Sequence, residues 1–557
     1  MLEGCVPWPE DFARRYRERG YWQGVTLFEM LERGAREHGS KTAIIDGERR
    51  VSYAELAQRA ARLAAGFAAH GMRREQRVVF QLANGIELAE TFFALARLGA
   101  IPVMALPAHR ATEITHFATA AGASALCVPD RVRRFDYRPM AHEVQDRVRG
   151  LRLVIVAGEA DAGQTALATL AADGGTDPGL AGPGPAASDV ALMLLSGGTT
   201  GLPKLIPRTH DDYLYGARCS ARAAGMDAQT VFLAVLPMAH NYTLAAPGLV
   251  GTLALGGTVA IAGGASDEEV FRAIERHRVT VVSAAVPLVA KWLGSPLIGR
   301  YDLGSLKVFM NGGAKLAPEL RQRVEQRFGC TYQESFGTAE GLLNQTRLDD
   351  PEPIRMESSG CPVSEADELK VVGEDGREVP DGTIGELVCR GPYTIRGYYN
   401  APAINREAFT ADGFYRMGDI GRRIGGYLYL EGRKKDLINR GGEKISCEEI
   451  ENHLLAHPDI ESACVVAMPD PDFGEKACAF VIPRGTCRPT LAALVEFLET
   501  RSIARFKFPE RLELVDAFPI SPAGKILRRE LREIVARRLA SDAGAPAPAH
   551  RSAPMQE

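Results

Sequence analysis

At 557 residues the chain exceeds one ordinary domain, so at least two are expected. With 46% hydrophobic and 24% charged residues it has the composition of a globular protein, and a formal net charge of −4 gives no broad basic field, which argues against nucleic acid as the main partner. No apolar run approaches the roughly 20 residues that span a bilayer, the start Met-Leu-Glu-Gly-Cys-Val-Pro-Trp-Pro lacks a basic region before an apolar core, and the ten scattered cysteines contain no Cys-x-x-Cys pair. The expectation is a cytoplasmic protein with reduced thiols, apart from membranes, most of its cysteines serving as small apolar core residues.

In chain order, residues 1–50 read as a capping segment with one amphipathic helix, because Leu27, Phe28, Leu31 and Ala35 fall at helical spacing. Beyond Val51 the pattern alternates: 77–82 as strand, 86–98 as helix and 101–106 as strand give the βαβ rhythm of a parallel sheet, which recurs at 151–157, 279–284 and 306–310. Residues 160–187, rich in Gly, Ala, Asp and Pro, read as surface chain, and Val190 to Leu195 as a buried strand. Near Cys361 the texture changes to short alternating strands with a Glu374-Asp375-Gly376 turn, predicting a β-rich subdomain at about 360–432. From 435 a third texture follows: helix 448–455, strands 463–467 and 477–482, helix 491–500 and strand 511–515. The predicted fold is α/β, with a large N-terminal domain (1–434) of two βαβ-type sheets plus the β-rich subdomain, a small α+β C-terminal domain (435–540) and an Ala/Pro/Ser-rich disordered tail (541–557).

The stretch most loaded with chemistry is Ser196-Gly197-Gly198-Thr199-Thr200-Gly201-Leu202-Pro203-Lys204, which leaves the strand ending at Leu195. Glycines that permit close backbone approach, three hydroxyls and one ammonium suit a polyphosphate. It is not a Walker loop, since Leu205 follows Lys204 where that motif needs a hydroxyl. Further along, His240-Asn241-Tyr242 ends a strand-like run and offers an imidazole, an amide and a phenol for a carboxylate and its polar neighbours, although alone His240 reads equally as a structural histidine. Asn311-Gly312-Gly313-Ala314-Lys315 reads either as a surface for a planar base or as a simple strand–helix turn. In Gln333-Glu334-Ser335-Phe336-Gly337-Thr338-Ala339-Glu340 an acid close to a triphosphate site suits Mg²⁺, which favours one or two carboxylates plus phosphate oxygens. Asp419 follows a turn and reads as a ribose partner or a cap, Lys434-Lys435 as a hinge or a charged linker, and Lys525 as a solvated charge or an anion-binding cation.

Taken together these motifs resemble those of the adenylate-forming enzymes over roughly residues 8–538, and Thr346-Arg347-Leu348-Asp349-Asp350 with 391–399 resemble the free-standing aryl-acid–AMP ligases among them. The resemblance implies ATP and Mg²⁺ as cofactors. It implies ATP contacts from Ser196, Gly197, Thr199, Thr200, Gly201, Lys204, Gly313, Ala314, Glu334, Ser335, Gly337, Asp419, Arg433 and Lys525, with Glu340 and Thr200 at the metal. An aryl acid would meet His240, Asn241, Tyr242, Ala246, Gly312, Ser335 and Leu343, with His240 against the carboxylate and Asn241 on the ortho hydroxyl. Lys525 and His240 would serve adenylation. Lys435 would be the hinge of a mobile C-terminal domain and Lys444 would belong to the face used in thioester formation.

The implied reaction joins the acid to AMP with loss of pyrophosphate and then passes the aryl group to a phosphopantetheine thiol. No Gly-Gly-x-Ser carrier motif is present, so an aryl carrier protein on another chain is the expected partner of a monomer or weak dimer. Within that resemblance Ala246 replaces the serine of the 2,3-dihydroxybenzoate branch and Leu343 matches the salicylate branch, which favours salicylate. Asn311 and Ser335 replace apolar residues and keep open a ring substituent or a heteroaryl acid such as hydroxypicolinate, quinaldate or hydroxyanthranilate. A ligase using free coenzyme A and a non-catalytic nucleotide-binding protein are the other readings.

Overall fold

A computed structural model of the chain describes residues 2–175, 184–196, 203–441, 443–501, 503–521 and 526–543, without the side chains of 435, 444, 540, 542 and 543. The chain divides into two compact units, Met1–Leu430 and Glu431–Glu557. This division falls inside the strand Tyr427–Arg433, slightly before the 434/435 boundary read from the sequence.

The first unit is built on two sheets. One has nine strands in the spatial order Cys361–Pro362, Gly341–Gln345, Thr331–Thr338, Val308–Gly312, Val281–Ala284, Val231–Ala234, Thr258–Ile261, Thr42–Asp46, Arg49–Ser52, parallel in its centre and antiparallel at both edges. The other has seven, in the order Leu205–Thr209, Val190–Leu195, Ile101–Met104, Arg77–Phe80, Ala125–Pro129, Leu153–Ala157, Thr165–Ala166, and only its first pair is antiparallel. Side chains alternate across each sheet. Val78, Phe80, Ile44, Phe232, Val308 and Met310 face one shared core with the helices Leu27–His38, Tyr53–Ala69 and Ile86–Leu98. Their neighbours Val79 and Val103 enter a second core under the helices Ala111–Ala121 and Arg138–Arg147. Ile45, Leu233, Val282 and Phe309 enter a third with Asp267–His277 and Pro318–Phe328. Helices thus cover both sheets, as parallel strands buried on both faces require. The β-rich part is the antiparallel sheet Glu368–Val372, Gly385–Arg390, Tyr415–Ile424, Tyr427–Arg433.

The second unit has a sheet in which Gly474–Pro483 pairs antiparallel with Ile460–Asp470 and Leu437–Arg440 and parallel with Arg511–Leu514. Ala463 and Val465 face the helices Cys447–Leu455 and Leu491–Glu499, while Cys464 and Val466 face the helix Arg528–Ala543. Of the ten cysteines, Cys127, Cys330, Cys389, Cys447, Cys464 and Cys478 are buried.

Three parts of the sequence reading need correction. Residues 1–50 hold two helices, Glu10–Glu18 and Leu27–His38, and two strands, and Thr42–Asp46 joins the nine-stranded sheet through Thr258–Ile261, a pairing no local pattern announces. Residues 160–187 are not all surface chain: the helix Leu167–Asp173 buries Leu167 and Leu170, while 176–183 lie outside the described residues. The last helix runs to Ala543, into the segment assigned to the tail, of which 544–557 lie outside the described residues.

Gly66 lets the helix Tyr53–Ala69 lie against Leu167–Asp173, since a Cβ there would sit 1.8 Å from the Leu170 carbonyl oxygen. Alanine is the better helix former by about 1 kcal/mol, yet Gly66→Ala is expected to lower stability by about 1–3 kcal/mol through overpacking. A urea-unfolding midpoint at or above wild type would refute the close approach.

Candidate active site

The strands Val190–Leu195 and Leu205–Thr209 form an antiparallel pair whose ends are joined at Ser196: its N–H donates to the Lys204 carbonyl at 3.0 Å, and the Lys204 N–H donates to Ser196 Oγ at 2.9 Å. Ser196 is thereby the clasp of the glycine–threonine loop. Gly197, Thr199, Thr200 and Gly201 lie outside the described residues. The Lys204 ammonium stands 4.8 Å from the centroid of the Tyr398 ring. Tyr398 donates its hydroxyl to Glu340 Oε1 at 2.8 Å and pairs with the Tyr415 hydroxyl at 3.1 Å. Tyr415 opens the strand Tyr415–Ile424, which carries the buried Asp419. The loop's lysine, the candidate metal carboxylate and the strand of the candidate ribose acid therefore converge on one tyrosine.

Arg208, 3% exposed, sits under this arrangement. Nε donates to Asp212 Oδ1 at 2.7 Å, Nη1 to the Ala339 carbonyl at 2.9 Å and Nη2 to the Tyr393 carbonyl at 3.0 Å. Asp212 also caps the helix His210–Ala223 by accepting from Thr209. Burial raises the Asp212 carboxyl, and Arg208 opposes that shift. His210 next to it is buried, accepts from the Leu27 N–H at 3.2 Å and is pushed down to about 4 by burial, so it is a neutral structural histidine.

The aryl-acid candidates assemble around the helix Asn241–Ala245. His240 caps it, accepting the Tyr242 N–H on Nδ1 at 3.2 Å, which places the proton of the neutral ring on Nε2. Asn241 Oδ1 accepts from the Tyr213 hydroxyl at 2.9 Å. Gly312 lies flat on Tyr242, where a Cβ would be 2.7 Å from the ring, and is in register with Ser335. Ala246 and Leu343 share an apolar cluster with Tyr215, Tyr393 and Tyr242. Gly337 passes under Leu343, a Cβ there meeting the Leu343 side chain at 2.7 Å. A small cavity of about 10 Å³ is lined by Asn241, Ala245, Leu343 and Tyr393 among others. A wider surface cleft of about 680 Å³ near Arg218 and Arg347 contains none of the predicted residues.

The Glu334 carboxyl is committed inside the protein: it accepts from the Tyr332 hydroxyl and from Asn311 Nδ2 (3.3 Å to Oε2) and pairs with Arg321 at 3.3 Å, all buried. Glu334 and Ser335 are consecutive in Thr331–Thr338, so their side chains face opposite sides of the sheet. Asn311 commits its Nδ2, donating to the Ala314 carbonyl at 2.8 Å and so holding the Gly313–Ala314 turn, in which Gly313 has φ +88°, while its buried Oδ1 has no hydrogen-bond partner among the described residues.

In the second unit Arg433 ends its strand, Lys435 lies in the short helix Lys434–Asp436 and Lys444 in the strand Glu443–Ser446, the side chains of the last two being outside the described residues. Asp436 pairs with Arg532, which fixes that short helix to the terminal one. Lys525 lies outside the described residues. Sequence reasoning missed Arg208, Asp212, Tyr393 and Asp367. Asp367 accepts from the Tyr393 hydroxyl through Oδ2, while its Oδ1 is buried with no hydrogen-bond partner among the described residues. Although the residue as a whole is only part-buried, enclosure of the carboxyl pushes it up to about 8.

Ser196 and Lys204 clasped at the ends of the glycine–threonine stretch, with a buried carboxylate on the same tyrosine as Lys204, on two sheets with a separate α+β unit, fit a nucleotide-binding enzyme of the AMP-forming type, and the chain belongs to the AMP-binding enzyme family. The family's model matches residues 31–399, and the AMP-binding enzyme C-terminal domain matches 449–525. The chain is 48% identical to a 2,3-dihydroxybenzoate-AMP ligase of Bacillus subtilis, over 97% of this chain and 99% of that protein. It is 45% identical to a salicyl-AMP ligase / salicyl-S-ArCP synthetase of Mycobacterium tuberculosis, over 95% and 94%. An apo structure of MbtA from Mycobacterium smegmatis matches with TM-score 0.73 at 41% identity, covering 95% of this chain and 98% of that one.

Two outcomes are expected. Glu334→Ala leaves Arg321 buried and unpaired and should cost about 3–5 kcal/mol of stability; an unchanged unfolding midpoint would refute that pairing. Asp367 holds its proton more tightly folded than unfolded, so its stabilising contribution is full below about pH 4, the ordinary range of an aspartate, and is lost as pH rises through about 8. The groups near it are Tyr393, Tyr215, Cys219, Cys389 and Ser364, with Cys219 itself pushed up to about 11. The melting temperature of wild type should therefore fall more between pH 5 and pH 8.5 than that of Asp367→Asn, and parallel profiles would reject the shift.

Proposed function

We propose that the protein joins an aryl carboxylic acid to AMP at the expense of ATP and then transfers the aryl group to the phosphopantetheine thiol of an aryl carrier protein. The observation that carries this reading is the apolar pocket wall of Ala246, Leu343 and Tyr393 meeting the polar end at His240 and Asn241, next to the Lys204–Tyr398–Glu340 cluster. A planar apolar ring suits the wall. With its oxygen committed to Tyr213, Asn241 presents its NH₂ to an ortho hydroxyl, and the His240 Nε2–H is a donor suited to a carboxylate.

The chemical difficulty is bringing a carboxylate onto the α-phosphate of ATP, both anionic. Lys204 on the loop side and Lys525 supply positive charge, and preorganised charge of this kind is the main catalytic resource for acyl and phosphoryl transfer. Mg²⁺ fits at Glu340: one buried carboxylate, held by a tyrosine hydroxyl and beside the phosphate-loop lysine, is the donor set expected when phosphate oxygens complete the shell. When bound there the ion neutralises phosphate charge; Thr200 is the second proposed ligand. Gly313 and Ala314 are proposed to face the base, Asp419 and Arg433 the ribose, and Lys435 and Lys444 to serve the second half-reaction. Similarity to both a 2,3-dihydroxybenzoate-AMP ligase and a salicyl-AMP ligase supports an aryl acid without choosing between the two.

Salicylate is favoured by Ala246 and Leu343, which offer no side-chain partner to a 3-hydroxyl; burying one unpaired costs about 1–3 kcal/mol. In ATP–pyrophosphate exchange, salicylate should therefore outperform 2,3-dihydroxybenzoate by about tenfold or more in kcat/KM, and Lys525→Ala should lose about 10²-fold. Equal or reversed rates reject the substrate argument, and no exchange with any aryl acid rejects the function. Acylation of free coenzyme A in preference to a carrier protein would reject the carrier as acceptor.

A further inference from the structure

We infer that Tyr393 and Asp367 act together as a positioning pair for the aryl-acid pocket, fixing Leu343 and presenting to the ligand an apolar ring instead of a hydroxyl; the inference rests on the function proposed above. Tyr393 is 1% exposed and shares the small cavity with Asn241 and Leu343. Its hydroxyl accepts the Leu343 N–H at 3.2 Å and donates to Asp367 Oδ2, so both its hydrogen-bonding roles are occupied on the protein side. Its ring is pressed by Gly216, where a Cβ would lie 3.2 Å from the ring, and its carbonyl is held by Arg208 at 3.0 Å. Gly391 admits the Asp367 carboxylate, since a Cβ there would be 2.3 Å from Oδ1.

Leu343 belongs to the strand Gly341–Gln345 and touches the ring space through its side chain. Its backbone N–H in that strand donates to a phenol, and the phenol is aimed by a carboxyl. Removing the hydroxyl leaves a buried N–H and a buried carboxyl without their mutual partner, while Lys204, Glu340 and Tyr398 keep their own contacts. The effect should therefore fall on the acid and spare the nucleotide.

The test is pyrophosphate exchange by the full-length protein, varying salicylate, 2,3-dihydroxybenzoate and ATP in turn, for wild type, Tyr393→Phe and Asp367→Asn. Tyr393→Phe should raise KM for salicylate about tenfold, change kcat and the KM for ATP by less than about twofold, and shrink the salicylate preference about threefold. Asp367→Asn still accepts from the phenol and should raise KM for salicylate less than about threefold. An unchanged KM for the acid in Tyr393→Phe, or a parallel rise for acid and ATP, overturns the inference. If Tyr393→Phe gives no cooperative melting curve, Asp367→Ala, which removes the acceptor and keeps the phenol, takes its place with the same expected split. Wild type inactive toward every aryl acid overturns the proposed function itself, an outcome distinct from an active wild type whose variants show no split.

Discussion

The first unit depends on one buried guanidinium. Arg208, in the strand Leu205–Thr209, reaches three partners: Asp212 four residues on and, far along the chain, the Ala339 carbonyl beside Glu340 and the Tyr393 carbonyl behind the pocket. A buried ion pair repays its desolvation only when its remaining donors are satisfied, and here each nitrogen has an acceptor. That single side chain ties the strand Leu205–Thr209 to the chain beside Glu340 and to the pocket wall. A lysine in its place would offer a point charge without the planar fork that meets three acceptors at once.

Above this anchor the polar groups are sorted by role. Tyr398 is both the surface under the Lys204 ammonium and the donor to Glu340, so a cation and an anion are kept near each other without forming a direct pair that would compete with a bound polyanion. Glu334, by contrast, is paired off completely and withdrawn into the body. Two acids six positions apart in the same motif thus differ in their partners: Glu334 has Arg321, Tyr332 and Asn311, and Glu340 has Tyr398.

Much of the fold was legible because buried parallel strands and amphipathic helices write their period into the chain: the helix Ile86–Leu98 and the strand Val190–Leu195 have the limits read from the residues alone. The strand Thr42–Asp46 was not legible, since its apolar residues make sense only beside Thr258–Ile261. In the site, Asn241, Tyr242, Ala246, Gly312 and Leu343 were singled out through the family resemblance, and the structure places them near one another. Arg208 was visible only as a basic residue after the loop, because its function lies in carbonyls 131 and 185 positions away. Tyr393 and Asp367 escaped for the same reason: one sits in a motif that reads as a lineage mark, the other in a turn where aspartate is unremarkable.

The alternation of the central strands has a consequence for how such a chain can change length. In Val308–Gly312 the odd and even positions serve different cores, and the last position is the flat glycine under Tyr242. Adding or deleting one residue would invert every side chain at once, turning Phe309 toward the layer of Val308 and Met310 and moving the glycine off the aromatic ring. Substitutions in these strands are local events, whereas indels are global ones, so growth and shrinkage of the sequence are confined to the connections between strands.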